Sequence, residues 1–312
     1  MKNHCNTKIV IIGSGMVGSS AAYASMIQGR ATEIVLIDRD ISRRDGEVMD
    51  LSHGSQYTET QHIRGGTYQD CRDADIIVFT AGAAQLPGET RIDLAAKNVK
   101  VLKNVLNELK AYLSPHTILL IISNPVDILT FVAQKVLKKH DPNKIIGSGT
   151  SLDSSRFRYY LGQYFGISPH SIHAYIIGEH GDSELPVWST ANIAGVGLKH
   201  FKGYNKQAMN KIYLKTKNAA YEIIKRKKAT YYAIGLLISE ISEMILSNQR
   251  AVIPLSVNPK GMYGIKDVCI GLPCVLCRSG IQSVIPLTLN ASEKKMLQTS
   301  AKKLQGILKQ IS

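Results

Sequence analysis

The first apolar stretch, "KIVIIG" from Lys8, holds β-branched residues at nearly every position, and a glycine-rich turn and a small-residue helical stretch, "SGMVGSSAAYASMIQG", follow it. A second run, "EIVLIDRD", ends in carboxylates, and "DADIIVFTAGA" and "HTILLIISNPVD" repeat the form, each closing on glycine or Asn-Pro. Such continuous runs, without the apolar/polar alternation of a half-exposed strand, predict strands buried on both faces. Between the last two, "DLAAKNVKVLKNVLNELKAYL" carries apolar residues at helical spacing. Buried strands alternating with helices predict a doubly wound, parallel α/β sheet.

Beyond about Gly147 the pattern changes. Longer helices appear, with strands of antiparallel character such as "SIHAYIIG" and "CVLCRSGIQSVIPLTL". The expected division is therefore residues 1–146 as a nucleotide-binding unit and 147–312 as a second, α+β catalytic unit. No internal repeat or low-complexity linker interrupts the chain.

With 312 residues, 44% of them hydrophobic and 20% charged, the chain can bury a sizeable core. No apolar run reaches the roughly 18 to 20 residues that a membrane helix needs, and the polar lead "MKNHCNT" does not resemble a secretion signal, so a cytoplasmic protein without a membrane partner is expected. Five cysteines (Cys5, Cys71, Cys269, Cys274, Cys277) make an odd count without a disulfide framework, in keeping with a reducing compartment. The one C-x-x-C, in "CIGLPCVLC", is embedded in apolar residues and reads as core thiols, so no metal is expected. The net charge of +14 could point to a polyanionic partner, but much of it lies between Lys199 and Lys228, where ten Lys/Arg face a single acid, Glu222. Helical patterning there puts most of them on a solvated face, and no nucleic-acid-binding motif accompanies them, so no nucleic-acid partner is expected.

Gly13, Gly15 and Gly18 form a G-x-G-x-x-G between a strand and a helix, and Asp38 stands twenty residues after Gly18 at the end of the next strand. In that context the glycines admit a pyrophosphate against the helix N-terminus, and the carboxylate can accept hydrogen bonds from a ribose. A carboxylate repels a 2′-phosphate, which favours NAD over NADP, although Arg39 beside it could pair with one.

Candidate chemistry gathers in three segments. "GEHGDSELP" contains His180; in "GTSLDSSRFRYYL", Asp153 and Arg156 are three apart and share a helix face; in "AGAAQLPGETRIDL", Gln85 and Arg91 follow a strand end. Beside a nicotinamide these groups fit hydride transfer to a 2-oxo acid, with the arginine clamping a carboxylate and Asp153 orienting an imidazole.

Together "GSGMVG", "IDRD", "MDLSHG", "TAGAAQLPGETR", "SNPVDILT", "GTSLDSSRFR", "GEHGDSELPVWS" and "ATYYAIG" resemble the L-lactate dehydrogenases of the lactate/malate dehydrogenase family, of bacterial type, from Lys8 into the last helix. The resemblance implies a Rossmann domain, NAD, and the pair pyruvate and L-lactate, the chemistry of fermentative glycolysis. By it His180 is the proton donor and acceptor, Asp153 its orienting carboxylate, Arg156 the substrate clamp, and Arg91 the loop residue that polarises the carbonyl. Gln85, Asn124 and Thr230 are implied in the substrate pocket. Gly13, Gly15, Met16, Val17, Gly18, Asp38, Arg43, Tyr68, Thr80, Ala81, Gly82, Ala83, Ser123 and Asn124 are implied around the cofactor.

The chain departs from the pattern at Lys228, where a small residue is expected, and at Ala84, where a polar one is common. Malate dehydrogenases resemble it but carry arginine in place of Gln85, so a neutral glutamine favours pyruvate over oxaloacetate. Arg158 lies roughly 200° round the helix from Arg156 and faces away from the substrate. Bacterial relatives activated by fructose 1,6-bisphosphate carry arginine and histidine at the positions of Arg158 and His173, across a twofold axis between subunits. A homotetramer with an effector site there is the corresponding expectation, a plain subunit contact the other.

Overall fold

The computed structural model describes residues 6–60, 62–83 and 88–311; Gln85, Ala84 and Cys5, singled out in the sequence, lie outside them. In chain order the N-terminal half contains β1 (Lys8–Ile12), α1 (Met16–Ile27), β2 (Glu33–Ile37), α2 (Ile41–His53), β3 (His62–Gly65), β4 (Ile76–Phe79), α3 (Arg91–Leu109), β5 (Ile118–Ile121), α4 (Val126–Val136) and β6 (Ile145–Gly147). The C-terminal half contains α5 (Ser151–Phe165), β7 (Ile172–His173), β8 (Ile176–Ile177), β9 (Leu185–Pro186), β10 (Asn192–Ile193), β11 (Val196–Gly197), α6 (Lys206–Lys227), α7 (Tyr232–Leu246), β12 (Ala251–Val257), β13 (Ile270–Cys277), β14 (Gly280–Val284) and α8 (Ala291–Ile311).

The principal sheet runs in the order β14-β13-β12-β6-β5-β4-β1-β2-β3. From β3 to β6 neighbouring strands are parallel, and β1, β4 and β5 are buried along their whole lengths. That burial explains why their sequences do not alternate. After β1 the chain winds outward through β2 and β3, then returns to the other side of β1 with β4. The strand order reverses between β1 and β4, and a crevice opens there at the carboxyl ends of the strands.

The expected antiparallel segment of the C-terminal half does not form a separate sheet. β12 joins β6 at Ser256–Gly147 and continues antiparallel into β13 and β14, so one sheet carries both halves of the chain. Cys274 and Cys277 lie buried in β13, as core thiols.

α7 packs along α1. A Cβ on Gly235 would stand 2.8 Å from the Ser20 carbonyl carbon, Ser239 donates to Gln28 at 2.6 Å, and Arg30 pairs with Glu240 at 3.1 Å. Early residues meet early residues and late meet late, so the linker before α7, which holds Thr230, arrives at the same end as the glycine turn that opens α1.

Candidate active site

The nucleotide crevice is built from backbone constraints. Gly13 has φ +107° and packs so closely on β4 that a Cβ would meet the Ala81 nitrogen at 2.7 Å; a Cβ on Gly18 would reach the Gly13 carbonyl at 1.8 Å. Neither position tolerates a side chain, whereas Gly15, the N-cap of α1, faces open space. No side chain caps this helix, and the amides of Met16, Val17 and Gly18 at its first turn have no intrahelical acceptor, which leaves donors and a positive dipole for a pyrophosphate. Met16 is exposed and Val17 packs on the core, so what each offers the crevice is its backbone amide.

A cleft of about 380 Å³ begins at these glycines and is lined by Asp38, Arg39, Arg43, Tyr68, Thr80, Ala81, Gly82 and Ala83, among others. The Asp38 carboxylate accepts from the amide of Ser14 at 2.7 Å, the amide of Asp40 at 2.9 Å and Arg43 at 2.8 Å. Burial opposes its charge, but these bonds hold its pKa below the usual carboxylate range. Glycine turn, free amides and a fixed carboxylate fit the pyrophosphate and one ribose of NAD.

The two strand-end loops that floor the crevice are tied by a residue the sequence reading missed. Buried Asn98 on α3 accepts from the Ala83 amide at 2.8 Å and donates to the Asn124 carbonyl at 2.7 Å, while Ser123 donates to the Ala81 carbonyl at 2.7 Å. An asparagine on the buried side of an amphipathic helix was the available signal. Asn124 itself is exposed after β5, and Thr230 is half-buried before α7.

His180 joins this edge. Its Nδ1 lies 2.6 Å from Asp153 Oδ2, and Arg156 donates to Asp153 Oδ1 at 2.9 Å, so one carboxylate, 4% exposed, binds both cations. Helical spacing puts Asp153 and Arg156 on one face of α5. The His180 backbone amide donates to Asp127 at 2.8 Å, and Ser256 of β12 donates to the other oxygen of the same carboxylate. Asp127 stands in the first turn of α4, three residues after Asn124, so it anchors the histidine loop to the carboxyl edge of the parallel sheet. Asp127 lay within a motif the sequence reading used but received no role in it.

Burial works against a charged imidazole, yet the Asp153, Asp127 and Glu184 carboxylates outweigh it and raise the His180 pKa to about 9. Asp153 is lowered despite its burial, by His180 and Arg156. Burial raises Asp127 to about 6 against its bonds from Ser256 and His180. At neutral pH the site therefore holds a protonated imidazole beside an ionised carboxylate, with the remaining guanidinium donors of Arg156 free of Asp153.

Arg91 opens α3 behind a capping box of Thr90 and Asp93; its side chain, like Gln85, is outside the described residues. Arg158, on the far side of α5, donates to the Ala174 carbonyl at 2.9 Å and lies over the Tyr175 ring, and His173, next in the chain before Ala174, is exposed on β7.

Known proteins similar to this chain identify its family. Residues 7–147 match the family model of the lactate/malate dehydrogenase NAD binding domain, and residues 150–312 match that of the lactate/malate dehydrogenase alpha/beta C-terminal domain. The L-lactate dehydrogenase of Acetivibrio thermocellus is 45% identical over 307 residues, covering 97% of this chain and 96% of that one. That of Geobacillus thermodenitrificans is 44% identical over 99% of this chain and 98% of its own. Among solved structures, a lactate dehydrogenase from a Medee basin deep-sea metagenome library superposes with a TM-score of 0.94 at 42% identity, over 98% of this chain and 99% of that chain. The minor L-lactate dehydrogenase of Enterococcus mundtii does so with a TM-score of 0.95 at 37% identity, over the same shares. The chain belongs to the lactate/malate dehydrogenase family, as an NAD-binding oxidoreductase of mixed α/β fold.

Proposed function

We propose that the chain is an L-lactate dehydrogenase, interconverting pyruvate and L-lactate with NAD, in which His180 carries the proton. The observation that supports this most is the Asp153–His180 contact at 2.6 Å, shared with Arg156 and anchored by Asp127 at the rim of the nucleotide crevice. The glycine turn and Asp38 would hold NADH, whose chemistry when bound would be hydride donation. The chain does the rest. Arg156 binds the substrate carboxylate through its planar fork. Asp153 occupies Nδ1, which leaves Nε2 as the nitrogen that donates its proton to the developing alkoxide, and in the reverse direction neutral His180 takes it back. The family resemblance gives Arg91 the role of polarising the carbonyl, and Gln85, Asn124 and Thr230 that of substrate contacts.

Pyruvate is the preferred substrate, since an uncharged Gln85 leaves the second carboxylate of oxaloacetate unpaired. Steady-state rates across a panel of 2-oxo acids with NADH test this: pyruvate should lead, and a higher kcat/KM for oxaloacetate overturns it. The relatives named L-lactate dehydrogenase support the same substrate pair.

Fructose 1,6-bisphosphate is the proposed effector, bound between subunits of a homotetramer by Arg158 and His173. In support, Arg158 donates to the carbonyl of Ala174, the residue after His173, and its burial lowers its pKa, so a phosphate there would relieve poorly solvated charge. Activation should vanish in an Arg158→Gln, His173→Ala double variant at matched ionic strength. A cytoplasmic setting is supported by Cys71, Cys269, Cys274 and Cys277, all buried and free.

A further inference from the structure

Glu184, four residues after His180, has entered so far only through its field on the imidazole. It precedes β9 and is 4% exposed. Its Oε1 is buried without a hydrogen-bond partner among the described residues, and no cation lies within ion-pairing distance of its carboxylate there. The groups that face it come from three directions. Asp153 and Arg156 belong to α5, His180 to its own loop, and Lys217 and Tyr213 to α6; the Tyr213 hydroxyl donates to the Glu184 backbone carbonyl at 2.7 Å. The negative neighbour is the Asp153 carboxylate, already ionised by its two cationic partners.

An isolated carboxylate removed from water is costly to ionise, and more so beside a second one. Here the two cations nearest the pair are engaged elsewhere: Arg156 and His180 both bind Asp153. Resting on the reading of this site as a pyruvate reductase, we propose that Glu184 is a positioning residue that must be a neutral carboxylic acid for substrate to bind productively, so that its ionisation switches pyruvate reduction off at alkaline pH. Burial, followed by the Asp153 charge, raises its pKa to about 8, within reach of that range. Once ionised, Glu184 adds a negative charge to a pocket that must accept a carboxylate. It also draws on the fields of Arg156 and His180, the groups that bind and protonate the substrate.

Two protons then control productive binding, one on His180 and one on Glu184. The logarithm of kcat/KM for pyruvate should fall with a slope approaching −2 at high pH in the wild type and −1 in Glu184→Gln. The ratio of variant to wild type accordingly rises with pH, approaching about tenfold per pH unit. A binding readout is the pH dependence of affinity for oxamate, an unreactive isostere of pyruvate, on the NADH complex. Wild type should take up close to two protons at alkaline pH, and Glu184→Gln close to one. Glu184→Ser removes the carboxylate with a smaller side chain and should behave as Glu184→Gln does, which keeps the test open if one variant fails to fold. A folded variant whose proton number matches wild type overturns the proposal. Absence of pyruvate reduction in the wild type at every pH overturns the functional reading instead.

Discussion

Asp127 and His180 are joined by a 2.8 Å hydrogen bond across 53 residues of sequence, from the backbone amide of the histidine to a carboxylate at the start of α4. Because Asp153 orients the ring while Asp127 fixes the backbone, the imidazole is held at both ends, and the holder at the backbone end sits in the nucleotide-binding half. Asp127→Ala should leave the His180 amide and the buried Ser256 hydroxyl unpaired and destabilise the protein by about 1 to 3 kcal/mol. It should also lower kcat roughly 10- to 100-fold by displacing the ring. Asp127→Asn, which keeps an acceptor, should recover much of the stability in chemical denaturation.

The contact between Asp153 and His180 carries a pH signature. The folded pKa of His180, about 9, exceeds its ordinary value of 6.5, so the pair's stabilisation through His180 is complete below about pH 6.5 and is lost as pH rises through about 9. Asp153 is lowered, and its contribution disappears at the opposite, acidic end, as pH falls through its folded value. Asp153→Asn should flatten the alkaline decline of unfolding free energy and move the fall in pyruvate reduction to lower pH. A variant profile that coincides with the wild type contradicts the pairing.

Arg156 and Arg91 should differ in kinetic signature. Arg156→Lys retains a charge beside Asp153 but loses the planar fork, and should raise the KM for pyruvate by roughly 10- to 100-fold with a smaller effect on kcat. Arg91→Ala should act on turnover, by about 3 kcal/mol, as loss of one stabiliser of the developing alkoxide. Steady-state parameters for the two variants check the division, which fails if they match.

Asp38 holds Arg43 at 2.8 Å in the crevice, and Arg39 lines the same wall. Replacing Asp38 with serine removes the anion and leaves two guanidinium groups free to meet a 2′-phosphate. The ratio of kcat/KM for NADPH to that for NADH should rise at least about tenfold, the equivalent of about 1.4 kcal/mol. No change in the ratio would show that Asp38 does not select the cofactor.

Lys228 occupies the left-handed C-cap of α6, with φ +70°. A side chain at such a position costs on the order of 1 kcal/mol relative to glycine. Lys228→Gly should therefore raise the unfolding midpoint, and thermal denaturation at constant pH measures it. The chain's departure at this position therefore carries a backbone cost at the end of α6.

Local pattern alone was sufficient for much of the architecture. Strands buried on both faces read as unbroken apolar runs, the G-x-G-x-x-G spacing marks the turn between β1 and α1, and Asp38 follows at the distance a β-α-β unit dictates, although the contact that excludes a side chain at Gly13 comes from Ala81, after β4. Asp153 and Arg156 share a face because a helix repeats every 3.6 residues. What the tertiary structure alone decided were the contacts between distant segments: Asn98 clasping the loops after β4 and β5, Asp127 reaching from α4 to the His180 loop with Ser256 of β12 bonded to its other oxygen, and β12 to β14 joining the first sheet instead of forming another. Glu184 is the clearest instance. In sequence it is one more acid in a polar loop; that its Oε1 is buried without a hydrogen-bond partner among the described residues appears only in the tertiary structure, because burial and the field of neighbouring charges are properties of the packed chain.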